Sequence, residues 1–119
     1  MGEKKIINIK IPEHIQCAEM IKLREGLTKL GIEWWDASDP DYYDLSIQRT
    51  HFAIAGNRWS VVHGYGTYGG YSLWRDKDDY LLELMTTSVN DGNPVGYLTA
   101  DDVLNILELK GLSKGEDGF

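Results

Sequence analysis

The spacing of apolar residues changes along the chain and divides it into helix-like and strand-like stretches. From Glu13 to Leu30 the positions Ile15, Ala18, Met20, Leu23, Leu27 and Leu30 recur mainly at three- and four-residue steps, the period of a helix with one buried stripe. Pro12 suits the first turn of that helix, where its missing N–H costs nothing, and Gly31 supplies a C-terminal stop. Gly26 weakens the helix by roughly 1 kcal/mol relative to alanine. IINIKI at residues 6–11 and IEWW at residues 32–35 read as short strands, and DASDPDYYD at residues 36–44 reads as an exposed loop.

The period then falls to two. Leu45–Ala55 and Arg58–His63 are β-type runs separated by Gly56-Asn57, a pair suited to a tight hairpin turn. A two-residue turn at that pair sets Ala55 opposite Arg58, Ile54 opposite Trp59, Phe52 opposite Val61 and Thr50 opposite His63. The last six of these side chains share one sheet face, and four are large and apolar, so that face is core. His51, Ala53, Ser60 and Val62 fall on the other face. Leu81–Thr87 reads as a strand, although LLELM also fits a helix, and Val95–Leu98 is a short strand. Thr99-Ala100-Asp101-Asp102 matches a capping box ahead of the apolar stripe Val103, Leu104, Ile106 and Leu107, with Gly111 as the stop. The expected architecture is a two-layer α+β domain over residues 1–111. It has a small, mostly antiparallel sheet of about four strands covered by an N-terminal and a C-terminal helix, followed by a flexible tail at residues 112–119.

Composition narrows the function classes. A chain of 119 residues with 42% hydrophobic positions suits one folded domain. No apolar run approaches the roughly 18–20 residues that span a bilayer, and the start lacks the apolar core of a secretory signal. Cys17 is the single cysteine and has no internal disulfide partner, which makes a cytoplasmic location the expectation. A net charge of −7 argues against general nucleic-acid binding. That charge is unevenly spread. Residues 32–48 carry five acids and no base, residues 76–119 carry ten acids and three lysines, and residues 49–75 carry Arg49, Arg58 and Arg75 with no acid. This acid-free island also holds His51 and His63.

Two surfaces follow as candidates. The first is the loop GYGTYGGY at residues 64–71, whose glycines permit close backbone approaches and whose Tyr65, Tyr68 and Tyr71 offer flat faces with polar tips. Beside it, Arg49 and Arg75 suit a small anion, with His63 and Asn90 orienting it, and the loop amides contributing. Arg58 falls at the opposite end of the expected hairpin. The glycine spacing matches neither a P-loop nor a dinucleotide fingerprint. The second surface is acidic: Asp36, Asp39, Asp41 and Asp44 beside Trp35 suit a basic groove on a partner protein, the aspartates imitating nucleic-acid phosphates. No HxxxH, CxxC or GxSxG spacing occurs, so neither a metal site, a cofactor nor catalysis is expected.

The segments LGIEWWDASD, RTHF, WSVVHGYGTYGG, LLELM and PVGYLTADDV, within residues 30–107, resemble small accessory proteins encoded by bacterial phages and prophages. The resemblance implies a phage setting, the cytoplasm of a bacterial host and no particular catalytic residue. It makes a non-catalytic counter-defence protein the expected function, one that antagonises host antiviral immunity by sequestering a small anionic, nucleotide-type signal. The alternative is an acidic nucleic-acid mimic that inhibits a host defence nuclease such as a CRISPR effector. A homo-oligomer is compatible with either.

Overall fold

In the computed structural model, which describes residues 11–39, 45–54, 56–87 and 89–109, five strands lie side by side in chain order. They are β1 (Trp34–Asp36), β2 (Ile47–Ile54), β3 (Asn57–Gly64), β4 (Leu82–Met85) and β5 (Val95–Leu98). Every neighbouring pair is antiparallel, so the sheet is a meander with one strand more than the four expected. LLELM is therefore strand, as its place beside β3 requires. Of the strand expected at residues 6–11 only Ile11 is described, and Gly111 and the tail lie outside the described residues.

The helix expected from Glu13 to Leu30 is broken in two. Glu13–Ile15 forms a 3-10 turn, Gln16 and Cys17 are extended, and α1 runs over Ala18–Lys29. The Cys17 N–H, which a continuous helix would give to a carbonyl one turn back, donates to Gln48 Oε1 at 3.0 Å. Gln16 Nε2 donates to the Ile11 carbonyl at 3.0 Å. The break resets the helical phase, so Ile15 and Cys17 are buried while Ala18 and Leu30, both expected in the stripe, are exposed.

α2 (Ala100–Leu109) begins with the expected capping box: Asp102 N–H donates to Thr99 Oγ1 at 3.1 Å, and Thr99 N–H to Asp102 Oδ2 at 2.9 Å. Glu19 of α1 adds a cap from outside, accepting the Ala100 N–H at 2.7 Å and tying the two helices together. At Gly26 a Cβ would stand 2.6 Å from Leu104 Cδ1, so the residue that weakens α1 lets α2 approach it.

Both helices cover one sheet face. Met20, Leu23 and Leu27 of α1 join Val103 and Leu107 of α2 in a core with Phe52, Ile54, Trp59, Val61, Leu82 and Leu84. Burying each such side chain contributes roughly 1.5–3 kcal/mol. The β2–β3 register differs from expectation by two residues. Ile54 pairs with Asn57, Phe52 with Trp59 and Thr50 with Val61, because Asn57 belongs to β3 rather than to the turn, with Gly56 at φ +84°. An even shift changes every partner and no face, so the expected core face survives intact.

Sequence periodicity gave no hint of Arg24, which sits on the buried side of α1 with 1% exposure. Its Nε donates to Thr50 Oγ1, and Nη2 donates to Asp36 Oδ1 at 3.2 Å and to the Arg49 carbonyl at 3.0 Å. The guanidinium lies 4.9 Å from the Trp34 ring centroid, so one side chain joins α1 to β1 and β2.

A candidate ligand-binding sheet face

Side chains that alternate with the core residues stand on the face the helices leave open. One row crosses four strands as Trp35, His51, Ser60 and Met85. The next row runs Arg49, Val62 and Glu83, and a third pairs Ala53 with Arg58. Trp35 and Met85 are each more than 40% exposed (43% and 42%), as expected of an uncovered surface. Three basic side chains of the acid-free island thus meet on this face. Arg58 and Arg49 flank His51, one diagonally across the hairpin and one two residues along β2.

The local chemistry is cationic and aromatic. The Arg58 guanidinium lies 5.8 Å from the Trp35 ring centroid, and Trp35 meets His51 edge-on at 5.9 Å. Arg49 donates one guanidinium N–H to the Ala37 carbonyl at 2.9 Å. Burial first, then the Arg58 and Arg49 charges, hold His51 below the ordinary histidine pKa. Among the described residues neither Arg49 nor Arg58 has a carboxylate at ion-pair distance. Glu83, the carboxylate of the second row, is 8% exposed and accepts the Tyr68 N–H at 2.7 Å, which leaves it little reach toward the arginines.

The glycine–tyrosine loop folds against the sheet, with three of its amides bonded within the loop and a fourth to β4. Gly64 N–H donates to Thr67 Oγ1, Thr67 N–H to the Gly64 carbonyl, Gly70 N–H to the Thr67 carbonyl and Tyr68 N–H to Glu83. A Cβ at Gly70 would stand 2.0 Å from Thr67 Oγ1 and 2.2 Å from the Gly64 carbonyl oxygen, and one at Gly96 would stand 2.1 Å from Tyr68 Cβ. At Gly70 and Gly96 the missing side chain permits close packing, whereas Gly66 faces open space.

The residues expected to bind a ligand are accordingly divided. His63 and Tyr71 are core residues, at 0% and 7% exposure; His63 Nδ1 lies 3.1 Å from the Leu81 carbonyl, and its ring packs 4.8 Å from Tyr80. Burial first, with the Arg75 charge acting in the same direction, lowers the His63 pKa against the opposing backbone bonds to Leu81 and Ile15. Tyr65 is half exposed beside Tyr71, and Asn90 bonds the Asn93 carbonyl within its own turn. Arg49 belongs to the open face, and Tyr68 and Arg75 meet Tyr97 at its β5 edge. On its other side Arg75 lines a groove of about 710 Å³ with Glu19, Asp76, Asp78 and Asp79, a lining that disfavours anions there.

The acidic surface is divided too. Trp35 stands on the open face, while the adjacent Asp36 turns the other way to Arg24 and accepts the Ser38 N–H at 3.0 Å. Burial would raise the Asp36 pKa, but the Ser38 bonds and the Arg24 charge outweigh it and hold it low. Asp39 pairs through its backbone with Ile47, and Asp41 and Asp44 lie outside the described residues. Cys17 is buried, and that burial pushes its thiol up to about 11, which leaves it protonated and inert.

Among the described residues no group of three or more His, Cys, Asp or Glu side chains is placed to hold a metal ion, and no helix is long and apolar enough to cross a membrane. No family model, no curated protein and no solved structure matches the chain. Sequence reasoning missed His51, Arg58 and Trp35 as one group. The signal was present in the alternation along the hairpin, but the glycine-rich loop drew the assignment away from it.

Proposed function

We propose that this protein is a non-catalytic binding protein for a small anionic, nucleotide-type molecule, held on the open sheet face. Arg49, His51 and Arg58 take the phosphate and Trp35 takes the ring. The observation that carries this reading is the placement of two arginines, without carboxylate partners among the described residues, on either side of a histidine and beside an exposed tryptophan. In the phage setting that the sequence resemblance implies, sequestering such a molecule removes a signal used by host antiviral immunity.

Calorimetry with a panel of mono- and dinucleotides tests the reading directly. Binding is expected, and Arg58→Glu is expected to abolish it while leaving the fold intact. Absence of heat with every member of the panel, from a protein shown to be folded, refutes it.

A further inference from the structure

The open face carries an aromatic feature at its β5 edge that the anion site leaves unused. Tyr97 has φ +60°, a conformation that costs a bulky residue on the order of 1–3 kcal/mol and persists only where its surroundings impose it. The surroundings here belong to the glycine–tyrosine loop. Tyr97 N–H donates to the Tyr68 carbonyl at 3.2 Å, and the two rings lie nearly parallel, 16° apart with centroids separated by 6.5 Å. Burial does not offset the strain, since Tyr97 is 59% and Tyr68 54% exposed. The Arg75 guanidinium stands 5.8 Å from the Tyr97 centroid. A strained backbone therefore holds one ring out in water beside a second.

This pair lies on the same sheet face as the anion site, beyond the buried Val62 and Glu83. The row Arg49, Val62, Glu83 leads across the sheet to the β4–β5 irregularity, where Leu82 pairs with Leu98 and Leu84 with Val95, so that Glu83 falls opposite Gly96 and Tyr97. Glu83 in turn anchors Tyr68. Three strand spacings, about 14 Å, separate β2 from β5, and four spacings, about 19 Å, separate β1 from β5. One ring-and-phosphate unit docked at Trp35 covers only the first three strands. Two such units joined through phosphate cover the whole row.

We propose that the ligand is a two-ring, phosphate-linked molecule of dinucleotide type, with its phosphates over Arg49, His51 and Arg58, one ring on Trp35 and the second on the Tyr68–Tyr97 pair. This rests on the anion site above and adds the class of molecule that fills it. Arg75 flanks the second ring as a cation–π neighbour, because the carboxylates of its groove keep a second phosphate away.

The test compares adenosine monophosphate with diadenosine diphosphate, and the guanosine pair likewise, by calorimetry on the full chain and on Tyr97→Asn. Asparagine tolerates a positive φ, so this variant removes the ring and keeps the backbone. The two-ring compound is expected to bind roughly tenfold or more tightly than its mononucleotide, the gain that stacking one base on an aromatic ring provides. Tyr97→Asn is expected to erase that gain and leave mononucleotide affinity unchanged. Equal affinities for the two compounds, or a gain that survives Tyr97→Asn, overturns the inference and leaves the anion site standing. Failure of every compound to bind overturns both.

Discussion

The Arg24–Asp36 contact allows a structural carboxylate to be told apart from a binding one. Arg24 is almost wholly buried at 1% side-chain exposure, whereas Asp36 is 35% exposed, and their N···O distance is 3.2 Å. At an effective dielectric of about 20 the bare Coulomb attraction at this separation is roughly 5 kcal/mol, much of which is cancelled by the cost of burying the guanidinium. Asp36→Asn leaves Arg24 bonded to Thr50 and the Arg49 carbonyl but removes the carboxylate that pairs with it among the described residues. Removing one partner of a fully buried pair costs about 3–5 kcal/mol, and water at Asp36 screens part of that, so about 2 kcal/mol is expected. In a domain of this size that corresponds to a fall in Tm of roughly 8–12 °C. Urea and thermal denaturation measure it, with Arg24→Met and the double variant completing a thermodynamic cycle. The double variant is expected to be little worse than Arg24→Met alone. A loss below about 0.5 kcal/mol for Asp36→Asn, the range of ordinary surface substitutions, refutes the assignment and returns Asp36 to the exposed acidic surface.

Other expectations follow from the same geometry. Arg58→Gln, at an exposed position, is expected to weaken nucleotide binding about tenfold with no change in Tm, since one charge-assisted hydrogen bond is worth about 1.5–3 kcal/mol; unchanged affinity by calorimetry contradicts the anion site. The lowered His51 pKa means that phosphate binding draws a proton onto the imidazole, so affinity should rise as pH falls through the ordinary histidine range. NMR titration of His51 with and without ligand reads this, and an unmoved titration rejects it. The folded-state pKa of His63 is also depressed, so its contribution to stability is complete above the unfolded value near 6.5 and is lost as pH falls below it, at no more than about 1.4 kcal/mol per pH unit. Denaturation midpoints between pH 7 and pH 5 should show that slope, and His63→Asn should flatten it. Gly70→Ala is expected to destabilise by about 3 kcal/mol, because its Cβ meets a backbone carbonyl oxygen that cannot swing aside; a wild-type urea midpoint contradicts the packed-loop account.

Much of the fold was legible because its signals are local. Alternation along residues 45–63 assigned Thr50, Phe52, Ile54, Trp59, Val61 and His63 to the core face, and all six are buried there. Thr99 and Asp102 marked the start of α2 because a capping box closes within one turn. The register was out by two because either of two overlapping residue pairs can form the hairpin turn, and both leave the faces unchanged. The break at Gln16–Cys17 was hidden for a different reason: its cause is the side chain of Gln48, thirty-one residues away.

The site was legible only in part. From the sequence alone came the acid-free island at residues 49–75, which persists in the structure as a carboxylate-poor sheet face. Tertiary structure decided which members of that island share a surface. It sent His63 and Tyr71 into the core, set Arg58 diagonally across the hairpin from His51 with Arg49 on the far side of that histidine, and brought Trp35 alongside His51 through pairing with β2. It also placed Tyr97 against Tyr68 across twenty-nine residues of chain. Alternation settles which face a side chain occupies, whereas strand order, register and loop packing settle its neighbours, and those depend on contacts far apart in sequence.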